Sequence, residues 1–286
     1  MARPSSSIET AFRERFTRDR VLLGMVHLPP LPGSPGYRGE PIDSLISRAR
    51  SDAEALLDGG MDGYVIENFG DAPFFKERVP PHVLTLMTRI ALSLPREAVG
   101  GDKPLIGVNV LRNDACGALA VAMAAGLDFI RVNVHCGAMA TDQGIIEGRA
   151  AETLRDRTAL AAPVSILTDV LVKHAAPLGS GADDPAIVAR DLAERGRADG
   201  LIVTGRATGE PLDLARLLAV RKAVPGLPLL AGSGVTARSV GKILEFADGA
   251  IVGTSLKEAG DGRAPVDPKR VRDLVRAARR RFGGFG

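Results

Sequence analysis

The stretch Asp199-Gly200-Leu201-Ile202-Val203-Thr204-Gly205 decides how the rest of the chain is read, because its pattern returns three more times. Asp62-Gly63, Asp128-Phe129 and Asp248-Gly249 each open an apolar run in the same way. Five residues after the four aspartates stand, in chain order, Glu67, Asn133, Thr204 and Gly253. Other apolar runs fall between these, three of them preceded by Pro104, Pro163 and Pro228. Self-similarity of this kind marks one supersecondary unit used repeatedly. A βαβα unit used four times yields eight strands and natural closure, whereas a doubly wound sheet is not expected to keep so even a register. The expected fold is therefore α/β, a single (β/α)8 or TIM barrel.

Working outward, strands are expected over 21–28, 63–68, 105–111, 129–134, 164–170, 201–205, 229–232 and 250–253. Helical spacing appears between them, for example over 44–57, 115–125, 185–195 and 212–223. The Gly- and Pro-rich stretches 29–35 and 179–184 follow strands and read as long βα loops, the kind that build active sites. No linker divides the chain. Residues 1–20 form an N-terminal extension, 21–282 the barrel and 283–286 a short tail. A length of 286 residues suits a barrel, which takes about 250.

Composition narrows the function classes. Hydrophobic residues make up 45% of the chain, yet it has no Trp and only 4% aromatics, so the core must be aliphatic, as in parallel strands buried on both faces. A net charge of +3 is no nucleic-acid footprint. The basic run 269–281 lies opposite Val271, Leu274, Val275, Ala278 and Phe282, which follow helical spacing, so it reads as the solvated face of a last helix. A contact with an anionic membrane surface stays open. The two cysteines, Cys116 and Cys136, make no disulfide framework and point to a reducing compartment, the cytoplasm. The polar extension at the N-terminus lacks the apolar core of a signal peptide, and no apolar run is long enough for a membrane span.

The seventh and eighth strands end in Ala231-Gly232-Ser233-Gly234-Val235-Thr236 and Val252-Gly253-Thr254-Ser255-Leu256-Lys257. Glycine lets the backbone approach an anion closely, and barrels frequently hold a phosphate here against N–H groups and the N-terminus of a short helix. Gly232, Ser233, Gly234, Gly253, Thr254, Ser255 and Lys257 are the expected phosphate ligands, with a helix over 236–246 behind them. A carboxylate or sulfate would fit the same features, and tight βα turns without any ligand are the plainer reading.

Polar residues recur at the other strand ends: His27, Glu67 with Asn68, Asn109, Asn133 with His135, Asp169 followed by Lys173 and His174, and Thr204. Catalytic groups of barrels sit at these C-terminal ends, and a carboxylate beside a lysine can be tuned for acid–base work. The catalytic set is expected to be His27, Glu67, Asp169 and Lys173. Asn68, Asn109, Asn133, Asp142, His174 and Thr204 are expected to contact substrate. Each of these, taken alone, reads equally as a satisfied polar cap. His27, Glu67, Asp169 and His174 are permissible metal ligands, but no HxH or HExxH spacing occurs, so no metal is expected. Lys173 as a Schiff-base nucleophile is a further reading. No cofactor is indicated. The segment 141–148 reads either as a helix cap, with Asp142 leading into a helix through 149–160, or as a substrate-covering segment carrying Asp142 or Glu147.

The runs GMVHLPPLPGSP (24–35), DGYVIENFGDAPFF (62–75), GVNVLRNDA (107–115), FIRVNV (129–134), TDQGIIEG (141–148) and DVLVKHAAPL (169–178) resemble the BtpA/SgcQ family. LIVTG (201–205), AGSGVT (231–236) and VGTSLK (252–257) extend the resemblance over nearly the whole chain. Cys136 and the pair Leu167-Thr168 depart from the family pattern without removing a candidate group. The resemblance implies a barrel similar to the ribulose-phosphate-binding barrels in its last two strands. One branch of the family is linked to photosystem I accumulation, peripheral to the thylakoid, and another is found with sugar-uptake genes; no reaction comes with the family.

Two function classes follow. The first is a lyase or isomerase acting on a small phosphorylated sugar or sugar-like metabolite, with Glu67 or Asp169 as base and Lys173 or His27 stabilising an enolate oxygen or donating a proton. The second is a non-catalytic biogenesis or assembly factor. The expected partner is a phosphorylated small molecule, not nucleic acid, and self-association into a homo-oligomer is left open.

Overall fold

The computed structural model describes Glu14, Phe16 and residues 20–97, 103–205 and 212–282. The tail 283–286 and most of the extension 1–20 lie outside the described residues. In chain order the strands are β1 Val21–His27, β2 Gly63–Glu67, β3 Leu105–Asn109, β4 Phe129–Val132, β5 Ala138–Thr141, β6 Gly144–Glu147, β7 Ser165–Val170, β8 Ala175–Leu178, β9 Gly200–Val203, β10 Leu229–Ala231 and β11 Gly249–Val252. Eight of them close a parallel barrel in the order β1-β2-β3-β4-β7-β9-β10-β11, with β11 returning to β1. The remaining three form a small antiparallel sheet, β6-β5-β8. The eight barrel strands fall where the sequence places them, with ends that differ by one or two residues.

The helices are α1 Ile42–Asp58, α2 Pro81–Ser93, α3 Ala115–Ala125, α4 Ala150–Ala159, α5 Pro185–Arg190, α6 Leu214–Ala223, α7 Val240–Ile243 and α8 Pro268–Phe282. Their ends follow local chemistry. Asp114, Asp184 and Asp213 cap α3, α5 and α6 by accepting from free first-turn N–H groups. Gly126 closes α3 in the left-handed conformation that glycine reaches without strain. Helix α1 buries Leu45, Ala49, Ala53 and Leu56 along one stripe, and α8 buries Val271, Leu274, Val275 and Ala278.

Three segments differ from expectation. Residues 141–148 are the turn and second strand of a β5–β6 hairpin, not a helix start, so Asp142 caps nothing and α4 begins only at Ala150. Helix 185–195 is α5 continued by a π turn over Asp191–Arg195, closed by a 2.8 Å bond from Gly196 N to Asp191 O. Residues 236–246 hold only the single turn α7, because Thr236 and Ser239 bond one another and delay the helix.

The repeated aspartates explain the closure. Asp62 Oδ2 accepts from Leu22 N at 2.7 Å, Asp128 Oδ2 from Ile106 N at 2.9 Å, Asp199 Oδ2 from Ile166 N at 2.8 Å and Asp248 Oδ2 from Leu229 N at 2.9 Å. Each aspartate N–H donates in return to the carbonyl of the same partner residue, at 2.8–2.9 Å. A carboxylate at the start of each even barrel strand thus clamps the start of the odd strand before it. Asp199 and Asp248 are balanced by Arg157 at 2.6 Å and Arg221 at 2.5 Å, and Asp128 by Lys103 at 2.9 Å.

Strand alternation then sorts the side chains. Val21, Leu23, Met25, Val65, Leu105, Phe129, Leu167, Ile202, Leu230 and Ile251 form one buried cluster inside the barrel, which Phe16 joins from the segment before β1. The larger cluster between barrel and helices takes the opposite parity, for example Leu22, Val26, Tyr64, Ile66 and Ile130. The residue after each aspartate faces inward. Glycine is required at three of them, since a Cβ on Gly63 would lie 1.9 Å from the Leu105 carbonyl oxygen, on Gly200 2.5 Å from a Leu167 methyl and on Gly249 2.5 Å from the Val21 carbonyl oxygen. At the fourth, Phe129 fills the room that Gly107 leaves on the neighbouring strand.

Replacing Asp199 by alanine leaves the Ile166 N–H and Arg157 without their acceptor at a buried rim. Urea unfolding of Asp199→Ala is expected to show a loss on the order of 3 kcal/mol. A loss below about 0.5 kcal/mol, the scale of an ordinary surface substitution, would show that the clamp contributes little.

Candidate functional site

The inward parity continues past the strand ends, so His27, Glu67, Asn109, Asn133, Asp169, Thr204, Gly232 and Gly253 all stand on the inner side of one mouth. A cavity of about 290 Å³ opens there. His27, Glu67, Arg131 and Lys173 line it together with the loops 232–236 and 253–255, His27 lying beside Gly253.

Glu67 is buried, and its Oε2 accepts from Asn109 Nδ2 at 2.7 Å. Its Oε1 lies 3.8 Å from His27 Nε2. His27 Nδ1 sits 2.8 Å from the Gly262 carbonyl oxygen. A carbonyl can only accept, so Nδ1 carries the ring proton and Nε2 of the neutral ring offers a lone pair. Burial pushes the His27 pKa down to about 4, against the pull of Glu67 and with the help of Lys257 and Lys173. Phe69 stacks on the ring, with centroids 4.3 Å apart and planes 14° from parallel. Glu67 Oε1 and His27 Nε2 are thus two acceptors facing each other, an arrangement that a donor from a ligand or a shared proton would complete.

Asp169 has both oxygens engaged. Arg131 Nε reaches Oδ1 and its NH2 reaches Oδ2, each at 3.0 Å, and Asn133 Nδ2 reaches Oδ2 at 2.8 Å. This is the fork geometry in which a guanidinium is held in one plane. Asp169 therefore orients Arg131 rather than standing free as a base. Asn133 Oδ1 is buried with no hydrogen-bond partner among the described residues.

Lys173 lies on the connection 171–174 between β7 and β8. Leu171 and His174 both take the left-handed conformation, at positive φ. Each such non-glycine residue costs on the order of 1 kcal/mol. That backbone swings Lys173 over the mouth. Burial lowers the ammonium pKa, with Arg131 adding to it, while Glu67 and Asp169 oppose. Lys173 Nζ has no hydrogen-bond or ion-pair partner among the described residues.

The two glycine loops present backbone donors. The amides of Ser233, Gly234, Val235, Gly253, Thr254 and Ser255 donate to no described residue. The two serine hydroxyls do structural work instead, since Ser233 Oγ accepts from Gly205 N at 2.5 Å and Ser255 Oγ donates to the Val235 carbonyl at 2.6 Å. With α7 reduced to one turn, the amides that line the cavity belong to the loop 233–235 and to the start of the short 3-10 turn Thr254–Leu256.

Other expected residues are placed elsewhere. Lys257 is fully buried on Asp52 at 2.6 Å, so its charge ties the loop after β11 to α1 and does not enter the mouth. Asn68 braces two loops through Leu111 N at 2.7 Å and Asp71 at 3.2 Å. Thr204 is buried under Gly232, its methyl 3.0 Å from where a Cβ on that glycine would lie. Asp142 is exposed at the hairpin turn, and His174 lines a second opening beside the first. His135 Nε2 sits on the Gly196 carbonyl oxygen at 2.8 Å. Cys116 on α3 and Cys136 in the loop after β4 are both free thiols, their pKa values raised by burial. Among the described residues no group of three or more His, Cys, Asp or Glu could hold a metal ion, and no helix is long and apolar enough to cross a membrane.

Sequence reading missed Arg131, Phe69 and Arg112. The repeat itself carried a signal for the first. Three residues after the aspartates stand Val65, Arg131, Ile202 and Ile251, so a charge occupies one of four equivalent inward positions.

The depressed His27 pKa has a stability consequence with a definite sign. The unfolded chain takes up a proton below the ordinary value of 6.5, and the native ring only near 4, so stability present above pH 6.5 is lost as the pH falls through that window. Urea unfolding at the two ends of this window is expected to show the wild type losing up to about 3 kcal/mol more than a His27→Asn variant. Equal acid sensitivity in both proteins would place His27 in an environment that accepts the charge.

The geometry has a known family around it. Residues 18–280 match the BtpA family. The photosystem I biogenesis protein BtpA of Synechocystis sp. is 46% identical over 92% of this chain and 90% of its own length. An uncharacterized protein of Pyrococcus furiosus is 44% identical, over 90% of this chain and 94% of that protein. An uncharacterized mitochondrial protein of Caenorhabditis elegans is 33% identical, over 90% and 92%. Among solved structures, N-(5'-phosphoribosyl)anthranilate isomerase from Pyrococcus furiosus aligns with a TM-score of 0.54 at 14% identity, covering 91% of this chain and 98% of that one. Thiamine phosphate pyrophosphorylase from the same organism aligns at 0.53 and 16%, covering 95% and 100%. Such low identities show a shared barrel fold and nothing finer. With a match across nearly its full length and relatives this similar, the chain belongs to the BtpA family.

Proposed function

We propose that this barrel is a lyase- or isomerase-type enzyme acting on a small phosphorylated sugar or sugar-like metabolite. The observation that carries the reading is the cavity itself. Amides of two glycine loops, without acceptors among the described residues, line one space with a carboxylate oxygen, an imidazole lone pair and an ammonium that has no described partner. The phosphate would dock on the amides of 233–235 and 253–255, helped by the Thr254 hydroxyl, and its binding energy would hold the reacting carbon near Glu67.

Glu67 is the preferred base, because Asn109 fixes one oxygen and leaves the other towards the cavity. It would take a proton from the carbon beside a carbonyl, and the resulting enolate oxygen would rest against Lys173 and Arg131. Where the deprotonated carbon bears a hydroxyl, passing that hydroxyl's proton to the enolate oxygen and returning the first proton from Glu67 to the former carbonyl carbon completes an isomerisation. If Glu67 instead takes a hydroxyl proton, the electron pair of the neighbouring C–C bond moves to the same enolate in an aldol-type cleavage. His27 Nε2 would accept a hydrogen bond from a substrate hydroxyl. The barrel neighbours whose names include phosphoribosylated or phosphorylated compounds lend support only as fold relatives.

The name of the Synechocystis relative favours a second reading, a non-catalytic factor in photosystem I biogenesis. A relative in an animal supports a chemistry shared more widely than photosynthesis. The free cysteines support a cytoplasmic setting.

Two measurements test the proposal. In calorimetry, Gly234→Asp is expected to weaken glycerol 3-phosphate far more than glycerol, by on the order of 1–3 kcal/mol per charge-assisted bond lost. Equal weakening of the two, with the fold intact by circular dichroism, would move the anion site elsewhere. In a deletion strain, the folded triple variant Glu67→Gln, Asp169→Asn, Lys173→Met is expected to fail to complement and to leave a phosphorylated compound accumulated. Full complementation would favour the assembly-factor reading.

A further inference from the structure

Beside the phosphate loops lies a second cavity of about 230 Å³, and Glu67, Phe69, Arg131 and Lys173 line both. The two therefore form one continuous site with the candidate base at the junction. The far end is built differently from the near end. It has no glycine loop; its wall carries Arg112, Arg131, Lys173 and Arg263, with His174 and Asn133.

We infer that the substrate is bis-anionic: beyond the phosphate held by the glycine loops it carries a second anionic group, a carboxylate or another phosphate, seated among Arg112, Lys173 and Arg263, with a hydroxyl between the two ends. This rests on the phosphate-binding reading of the loops 232–236 and 253–255. Three observations carry it.

The first is charge. Arg112, Arg131 and Lys173 supply three positive charges, and Glu67 with the Arg131-bound Asp169 supplies two negative ones, which leaves one in excess, with the exposed Arg263 guanidinium a further cation at the rim. Asp142 also feels Arg112, but it is exposed at the hairpin turn and screened by water. Excess positive charge in a low-dielectric cavity is costly unless an anion enters. The second is the pose of Arg112. This side chain is only 6% exposed, and its NH2 donates to the Lys173 carbonyl at 2.9 Å. That bond fixes the guanidinium, and its other nitrogens donate to no described residue. A planar fork so placed suits the paired oxygens of a carboxylate or phosphate.

The third is Asn133. Its Nδ2 is committed to Asp169, so its orientation is set, since turning the amide would place oxygen against oxygen. The buried Oδ1 is left without a partner among the described residues, and Asn133 belongs to the wall of this cavity. A buried acceptor calls for a donor, which an anionic group cannot supply and a hydroxyl can. The far end therefore combines donors for an anion with an enclosed acceptor set in its wall.

Matched probes test the inference by calorimetry. Glycerol 3-phosphate and 3-phosphoglycerate differ only in the far group, CH2OH against carboxylate. A five-carbon set of a pentitol 5-phosphate, the pentonate 5-phosphate and the pentitol 1,5-bisphosphate extends the span and separates carboxylate from second phosphate. At least one bis-anionic probe is expected to bind on the order of ten-fold more tightly than its mono-phosphate counterpart. Arg112→Ala and, because Arg263 is exposed and unimportant to the core, Arg263→Ala are expected to erase that preference while leaving glycerol 3-phosphate affinity unchanged. A preference that survives both variants, or bis-anions that bind no more tightly than mono-phosphates, overturns the inference. Gly234→Asp reports separately on the near end. If it leaves every affinity unchanged while Arg112→Ala lowers that of the bis-anions, the loop reading fails and the arginine end stands.

Discussion

The four carboxylates at the N-terminal rim are the constraint on which the rest of this molecule depends. Asp62, Asp128, Asp199 and Asp248 each hold, by side chain and by backbone, the start of pairing with the preceding barrel strand. Register in a sheet is a matter of parity, since a slip by one residue turns every side chain to the opposite face. Fixing the start of each even strand against its odd neighbour therefore decides, about 17 Å away along the strands by the roughly 3.3 Å rise per residue, which side chains meet inside the mouth. Glu67, Asn133, Thr204 and Gly253 stand five residues beyond the aspartates and face inward for that reason.

The two rims differ in how completely their polar groups are matched. At the N-terminal rim the clamping carboxylates are bonded to backbone, and Asp128, Asp199 and Asp248 each face a cation as well. At the C-terminal mouth the matching is incomplete among the described residues: Asn133 and Thr204 have buried oxygens without partners, Lys173 is unpaired, and two loop connections leave amides free. The connection 171–174 holds two non-glycine residues in the left-handed conformation to bring Lys173 over the opening. The buried Arg131–Asp169 pair belongs with these features. Such pairs rarely add net stability over apolar packing, so stability alone does not account for its place in the barrel interior, where equivalent positions carry valine and isoleucine.

The misread segments have local causes. Thr141-Asp142-Gln143-Gly144 carries an aspartate before residues compatible with a helix, which is how a cap looks in sequence. Its actual partner is the strand just before it, Ala138–Thr141, whose other edge is taken by Ala175–Leu178, more than thirty residues on, to complete a small sheet. Met139 and Ile146 then face each other in the buried layer while Ile145 is 51% exposed, an alternation of two rather than of three or four. Lys257 followed two hydroxyl residues and looked like a phosphate ligand. Asp52, two hundred residues earlier, claims it instead, and takes the Val266 N–H at 2.7 Å as well.

Read by itself, the chain determined its barrel: strand number, order and inward parity all follow from short-range alternation and a repeated aspartate, which are properties of neighbours in sequence. It also determined the glycine loops and the membership of His27, Glu67, Asn109 and Asn133 in one mouth, because strand ends in a closed parallel barrel have nowhere else to go. Only the tertiary structure decided what each group does there. That Asp169 is locked by Arg131, that His27 keeps its proton on the nitrogen facing Gly262, and that Lys257 belongs to Asp52 depend on contacts across 38 to 235 positions of chain. No local pattern encodes such distances, because a side chain's charge state and free lone pairs are set by whichever distant groups the closed barrel brings against it.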